Sequence, residues 1–175
     1  GRPMGNYGAK DMAESFRTVR KNTIQVAQDI PADQYGFRAA EGGMTVAEML
    51  AHLATSTHWA QQLHFVEKKS DVSYEDFGRY MAEGKALAAS LKTKADIVAA
   101  LESGGHDFAC RLEQMSDAQL AEDVAFPAPI QPPTKSRFEM LLSVKEHEMH
   151  HRGQLMLIER MLGIVPHLTR ARQNR

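Results

Sequence analysis

The chain has 175 residues, of which 43% are hydrophobic and 25% are charged, and these values fit one globular domain spanning residues 1–175. Its 21 Lys and Arg residues are balanced by 22 Asp and Glu residues, so the net charge is −1 and the basic excess typical of nucleic-acid-binding proteins is missing. The single Cys110 excludes an internal disulfide, and no apolar run approaches the roughly 20 residues of a membrane span. We therefore expect a cytoplasmic protein with neither a nucleic-acid nor a membrane partner.

Apolar side chains recur at steps of three and four residues along the first part of the chain, which predicts amphipathic helices. The first helix should span about residues 10–30 and end before Pro31. A second helix should begin at Val46, after the capping-box sequence that Thr45 opens, and run to about Lys68.

The middle of the chain continues the helical pattern. A shorter helix is predicted over about residues 74–87, and a third long helix follows Thr93. The pair Gly104-Gly105 falls inside this helix and favours a kink or a break there.

Four of the seven prolines fall between residues 124 and 135, which predicts a stiff, extended crossover inside one domain and not a linker between two. Ser136 then begins another capping box, which predicts the start of the longest helix. This helix should have about 27 residues and end at Leu162, just before Gly163. No strand pattern of convincing length occurs. Four long helices with matching apolar stripes predict an all-α four-helix bundle with long crossovers.

The apolar stripe of the last helix contains two histidines, His147 and His151, at positions where a core would normally hold Leu or Ile. Four residues along a helix correspond to about 40° of rotation and 6 Å of rise, so both rings project the same way and could bind one metal ion. A pair of hydrogen-bonded core histidines is the alternative, but both rings would then need polar partners inside an apolar stripe.

A third ligand is predicted on the second helix, where His52 lies on a partly apolar, inward-facing line. Facing helices of a bundle commonly build metal sites by pooling such side chains. His52, His147 and His151 would supply three neutral nitrogens and leave one coordination position open, as in catalytic zinc sites. The nucleophile is then expected to be water or a thiol held by the ion.

Four neighbouring residues are candidates for pocket or supporting roles. Ser56 and Trp59 follow His52 on the same line, and Trp59 either walls the pocket or belongs to the core. Gln154 either orients a ligand or is simply polar on the helix surface. Glu148 is expected to be solvated or to support a neighbouring His.

Residues 147–151 also match the H-E-x-x-H motif of zinc proteases, in which the Glu activates water. The longer metzincin pattern fails, because Gly153 comes one place early and Leu157 stands where the third His is needed. The only downstream acid, Glu159, lies eight residues and about 12 Å along the same helix, too far to be a ligand. A zincin-type metalloprotease is therefore the weakest of the three functional hypotheses.

The segments around these histidines resemble the DinB-like (YfiT-like) metal-binding family. The sequence His-Arg-Gly-Gln-Leu at residues 151–155, four residues after His147, is similar to the family's C-terminal signature together with Leu-Gly-Ile-Val-Pro at 162–166. His52 matches the family's first histidine. The resemblance implies an up-down-down-up four-helix bundle that holds a divalent metal, often nickel or zinc, through three histidines, and it implies a homodimer.

The resemblance also implies an activity on a small molecule, because the family includes thiol-dependent S-transferases and isomerases as well as metal-dependent hydrolases. Since Cys110 is expected to be a packed small hydrophobe, any thiolate would come from a low-molecular-weight thiol cosubstrate. The rival hypothesis is a non-catalytic dimeric bundle with a structural or sensing metal. A fourth protein ligand such as His167 would favour that rival.

Overall fold

The computed structural model describes residues 7–174, which form a helical bundle with one small sheet. The helices are α1 (Ala9–Asp29), α2 (Val46–Thr55), α3 (His58–Ala60), α4 (Tyr74–Ala89), α5 (Lys94–Glu113), α6 (Asp117–Leu120), α7 (Arg137–Met161) and α8 (His167–Gln173). A 3-10 turn covers Ala32–Gln34, and a π-helical turn over Gln61–Val66 continues α3. Among the described residues, no helix combines the length and the apolar character that a membrane span requires.

Two clusters of buried apolar side chains fill the bundle, one towards each end. Core A joins the end of α1, most of α2, the start of α5 and the end of α7. Core B joins the start of α1, α3, the end of α5 and the start of α7. Helices α1 and α7 therefore run in one direction while α2 and α5 run in the other. This confirms the up-down-down-up four-helix bundle.

The antiparallel packing of α1 against α5 is visible in the polar contacts at both ends. The Lys94 ammonium donates to the Ile30 carbonyl oxygen at 2.8 Å, whereas Arg17 pairs with Glu113 at 2.9 Å. Helix α4 packs on α2 and α3 and carries the chain across the bundle between them and α5. This long crossover allows α2 and α5 to run parallel.

The predicted helices are confirmed in α1, α4, α5 and α7, but the second helix is not continuous to Lys68. Regular helix ends at Thr55 and resumes as α3 and the π-helical turn. The Thr55 hydroxyl donates to the Ala51 carbonyl oxygen at 2.9 Å and the Ser56 hydroxyl to that of Leu53 at 3.0 Å. Such side-chain donors compete with the backbone ladder for the same oxygens, so the helix is interrupted there.

The expected break at Gly104-Gly105 is wrong, because α5 passes through both glycines. A Cβ atom at Gly105 would lie 2.7 Å from Cγ of Arg20, and one at Gly104 would lie 3.3 Å from the carbonyl oxygen of Ala54. The two glycines therefore let α1 and α2 approach α5 closely. Their role is in helix packing.

The proline-rich crossover contains two short strands that the sequence pattern did not predict. Strands β1 (Asp123–Ala125) and β2 (Thr134–Ser136) pair antiparallel, with Val124 opposite Lys135. Three residues are too few for a recognisable alternation of apolar and polar side chains. The crossover is thus an extended ribbon closed by hydrogen bonds, and its end caps α7 through Ser136, which accepts from the Glu139 amide at 3.1 Å.

Candidate metal centre

The structure brings His52, His147 and His151 together on one side of the bundle. Each ring offers one nitrogen, and these three nitrogens all lie within 4.8 Å of one another. The Nε2 atoms of His52 and His147 are 3.1 Å apart. His52 and His151 are half-buried and His147 is exposed, so the cluster opens to solvent and is not part of either apolar core.

The chemistry of this cluster fits a divalent metal ion. Two ligands at 2.0–2.1 Å from one tetrahedral ion are roughly 3.3 Å apart, close to the 3.1 Å between the His52 and His147 nitrogens. Among residues 7–174, no Cys, Asp, Glu or further His joins these three histidines in the cluster. Three imidazoles on a solvent-facing surface would hold the ion and leave further positions open.

The protonation of the cluster also favours metal binding. Loss of solvent around the ring, followed by the neighbouring His151 and His52, lowers the pKa of His147 to about 4. Burial and His151 likewise lower the pKa of His52. Both imidazoles are therefore neutral at pH 7, the form in which a nitrogen can bind a metal.

Gln154 lies beside this cluster and fixes one of its rings. Its side-chain Oε1 is 2.9 Å from Nδ1 of His151, and its Nε2 is 3.5 Å from Nε2 of His150. When Nδ1 of His151 donates to this oxygen, the Nε2 atom is unprotonated and free to bind an ion. The structure thus places Gln154 next to a candidate ligand, while His150 remains on the exposed side of α7.

Glu148 belongs to a different and fully buried network, so the expectation that it is solvated is wrong. It is 0% exposed, and its two oxygens accept from Arg20 Nη2 at 2.7 Å, Arg20 Nε at 2.9 Å and the Thr23 hydroxyl at 2.8 Å. Arg20 also donates to the carbonyl oxygens of Leu101 and Leu53 at 2.9 and 3.0 Å. A single guanidinium thereby contacts the other three long helices of the bundle.

The inward line of α7 explains this placement. Its buried members run from Val144 in core B through Glu148 to Leu155 in core A, whereas His147 is turned by about 100° from Glu148. The histidines thus flank the buried line and do not belong to it. Arg20 was missed by the sequence reasoning, although it lies one turn after Phe16 on the buried face of α1 and could have been noticed as a cation facing an acid.

The other two pocket candidates have structural roles. The Ser56 hydroxyl is engaged at the end of α2, as described above. Trp59 packs against core B and against the small cluster around Leu63, and its ring lies edge-on to His64 at 6.0 Å between centroids. Trp59 is therefore a half-buried side chain at the edge of the core.

The remaining histidines have partners away from the cluster. His64 is buried, and its Nδ1 accepts from the Arg137 guanidinium at 3.1 Å; burial and this cation lower the pKa of His64 to about 3. His58 lies 3.2 Å from Glu83. His167, the candidate for a fourth ligand, lies 3.0 Å from Asn22 through its Nε2.

Comparisons with known proteins agree with this architecture. A family model of the DinB superfamily matches residues 15–155. The chain is 24% identical over 158 residues to the uncharacterised protein YjoA of Bacillus subtilis strain 168, and the match covers 89% of this chain and 91% of YjoA.

Two solved structures share the fold. The crystal structure of YjoA, a DinB-like protein, superposes with a TM-score of 0.64 at 22% identity and covers 87% of this chain and 91% of its own. YfiT from Bacillus subtilis superposes with a TM-score of 0.67 at 15% identity and covers 94% and 93%, respectively. YfiT is described as a probable metal-dependent hydrolase with an unusual four-helix bundle topology.

Proposed function

Because the chain belongs to the DinB superfamily, we propose that it is a divalent-metal-dependent enzyme whose centre is formed by His52, His147 and His151. The observation that carries this proposal is the convergence of three imidazole nitrogens within 4.8 Å at an opening to solvent. Nitrogen ligands of this kind suit zinc and nickel. A bound ion would supply Lewis-acid chemistry that lowers the pKa of water or of a thiol in the open position.

The residues around the centre would orient the ligands and leave the nucleophile to come from outside. Gln154 holds the His151 ring through Nδ1. Glu148, the acid of the H-E-x-x-H match, has both oxygens engaged by Arg20 and Thr23. It therefore has no capacity to accept a proton from a reacting group, and this argues against the zincin-type protease.

We favour thiol-dependent S-transfer or isomerisation as the reaction class. A free thiol has a pKa of about 8.5 and needs only a modest shift to ionise at neutral pH, whereas water starts near 15.7 and hydrolysis commonly uses a general base as well. Among the described residues the ligand cluster consists of histidines and includes no carboxylate, which suits the thiol better. Cys110 is not a member of the three-histidine cluster and instead contacts His106 and Arg17. The reacting thiol would therefore be a low-molecular-weight cosubstrate.

Hydrolysis is the second candidate, and it is favoured by the description of YfiT as a probable metal-dependent hydrolase. A structural or sensing metal in a non-catalytic bundle is the third. The partnering of His167 with Asn22 argues against a fourth protein ligand, and hence against a closed structural site. The proposal also includes a small-molecule substrate, a cytoplasmic location and a homodimer.

The test combines metal analysis with two activity screens. The purified protein should bind about one zinc or nickel ion per chain, as expected for one three-histidine site. His147→Ala/His151→Ala should abolish that binding and His52→Ala should weaken it, while the matched surface variant His106→Ala should leave it unchanged. Full metal content in the double variant would overturn the site assignment.

The activity screens then separate the reaction classes. Loaded protein is assayed for conjugation of 1-chloro-2,4-dinitrobenzene with glutathione, bacillithiol or mycothiol, and for hydrolysis of p-nitrophenyl esters. Thiol-dependent turnover that is lost in His147→Ala/His151→Ala supports the S-transferase proposal. Ester hydrolysis alone supports the second candidate, and stoichiometric metal without either turnover supports the non-catalytic bundle.

A further inference from the structure

A cluster of arginine side chains lines a groove between α7 and α8, on a different face of α7 from the metal centre. The groove has a volume of about 450 Å³. Its lining residues are Arg152, Met156, Leu157, Arg160, Pro166, Leu168, Thr169 and Arg172. Three arginines and no acid line it, although the chain as a whole has a net charge of −1.

The three guanidinium groups have no carboxylate in direct contact among the described residues, although Glu148 acts on Arg152 electrostatically. Within residues 7–174, none of Arg152, Arg160 and Arg172 forms a salt bridge, and Arg160 donates a side-chain hydrogen bond to the Thr169 hydroxyl at 3.3 Å. The Nε atom of Arg152 is buried without a hydrogen-bond partner among the described residues. A cation with a buried, unpaired N–H donor is costly, and an anion bound in the groove that Arg152 lines would offset its charge.

The acids near the groove in sequence or space are either paired with another arginine or buried. Glu148 pairs with Arg20, and Asp29 pairs with Arg170 at 2.9 Å. Glu159 is fully buried beneath the surface of α7. Arg160 and Arg172 are exposed and Arg152 is half-buried, so the groove presents positive charge to solvent and can attract an anion.

The arrangement of the groove also defines the shape of its ligand. Arg152 and Arg160 lie one turn before and one turn after Met156, about 6 Å along the helix in each direction, and Arg172 approaches from α8. Between these charges the floor is apolar, and the side chain of Leu157 is 63% exposed. Cations around an apolar floor match a ligand with an apolar body and more than one negative charge.

We infer that the groove between α7 and α8 is a binding site for a small organic dianion with an apolar body, either a phosphate monoester or a dicarboxylate. The site is distinct from the metal centre, because Arg152 is turned by about 100° from His151 and Arg160 lies further round the helix. The inferred anion site can therefore be tested independently of the proposed catalytic function.

The experiment uses three probes that separate charge from apolar contact. Phenyl phosphate carries both features, inorganic phosphate carries the charge alone, and phenol carries the ring alone. In calorimetric titrations of the full chain at low salt, phenyl phosphate should bind at least about tenfold more tightly than either of the others. Amide chemical shifts of Leu168 and Thr169 should move on binding.

Variants in exposed arginines then locate the site. Arg160→Gln/Arg172→Gln should weaken phenyl phosphate binding about tenfold or more, whereas Arg111→Gln, which removes an exposed cation on α5, should leave it unchanged. Metal content should be the same in all variants. Benzylsuccinate in place of phenyl phosphate shows which head group is preferred, and binding of either supports the inference.

Three outcomes would overturn the inference. Absence of binding of both dianions at 10 mM, equal affinity for phenol, or full affinity in the Arg160→Gln/Arg172→Gln variant would each do so. Because both substituted side chains are exposed, the double variant is expected to fold, and circular dichroism checks this.

Discussion

The two sides of α7 hold polar groups in opposite ways. On the buried side, the carboxylate of Glu148 receives hydrogen bonds from Arg20 and Thr23, which complete its coordination. On the open side, one residue earlier, His147 faces solvent beside His52 with nitrogen atoms 3.1 Å apart. A polar group whose hydrogen bonds are complete stabilises the fold and has nothing left for a ligand. The candidate metal centre differs from the buried ion pair because its nitrogen atoms are open to solvent and can still bind a ligand.

This contrast also explains why the H-E-x-x-H motif at residues 147–151 is misleading. The motif requires the Glu and both His side chains to reach one ion, with the Glu free to take a proton. Here the helix turns Glu148 into the bundle while both His side chains stay at its surface. In this chain the Glu of the motif therefore belongs to a buried ion pair, while its two His residues belong to a candidate metal site on another face of α7.

The largest expected effect comes from breaking the buried side. Arg20→Met should lower the free energy of unfolding by about 3–5 kcal/mol, because Glu148 would remain as an uncompensated buried charge. Urea denaturation of the metal-free protein measures this. Arg38→Met, which removes an exposed pair with Glu48, is the control and should have a far smaller effect. A loss no larger than that of the control would show that Glu148 is not buried as an ion.

The second prediction concerns Glu159, a buried acid on α7 that lacks the partners of Glu148. Both its oxygens are without hydrogen-bond donors among the described residues, and burial, with a contribution from Asp29, raises its pKa from 4.5 to about 7. The folded state thus keeps a proton that the unfolded state releases. This contribution to stability is present below pH 4.5 and is lost as the pH rises to about 7.

Glu159→Gln should remove this pH dependence. At about 1.4 kcal/mol per unit of pKa, the variant should gain about 3 kcal/mol over the wild type between pH 4.5 and pH 8. The measurement is the difference in unfolding free energy between the two proteins across this range, so that titration of other groups such as His64 cancels. The exposed Glu102→Gln is the matched control. A constant difference between the proteins would contradict the raised pKa.

The third prediction tests the space that the buried network requires. Gly105→Ala should destabilise the protein by about 2 kcal/mol, because the new Cβ would lie 2.7 Å from Cγ of Arg20. The control is Gly78→Ala in α4, where no atom lies within 4 Å of the added Cβ. That change should be neutral or stabilising by up to about 1 kcal/mol. Equal effects at the two glycines would show that α5 can shift away from Arg20.

The smallest effect is expected on the open side. His147→Ala/His151→Ala should change the unfolding free energy of the metal-free protein by less than about 1 kcal/mol, because neither ring belongs to core A or core B. Urea denaturation in the presence of a chelator gives this value. A loss comparable to that of Arg20→Met would place the histidines among the residues that hold the bundle together.

Most of the fold could be predicted from the sequence because helix periodicity and capping are local signals. Thr45 and Ser136 accept the hydrogen bonds expected of N-caps, and α7 ends at Met161, just before the predicted Leu162. The interruption near Ser56 and the strands around Lys135 could not be predicted in this way. They depend on side-chain hydrogen bonds and on pairing between segments that periodicity does not detect.

The site was predictable to the extent that it follows helix geometry. The four-residue spacing of His147 and His151 places both rings on one side of α7, and the structure brings His52 to them. The burial of Glu148 was not predictable from the same pattern, because apolar periodicity does not indicate that an acidic side chain is buried. It required knowledge of Arg20, more than a hundred residues earlier in the chain.

The ion pair between Arg20 and Glu148 joins positions 128 residues apart, which has a consequence for folding. An intermediate in which α1, α2 and α5 have docked without α7 would hold the Arg20 guanidinium against backbone carbonyls with no counter-charge, at a substantial desolvation cost. Partly assembled bundles are therefore penalised, and α7 must dock for the charge to be neutralised. Docking of α7 is thereby coupled to docking of the other three helices, which favours cooperative unfolding of the whole bundle.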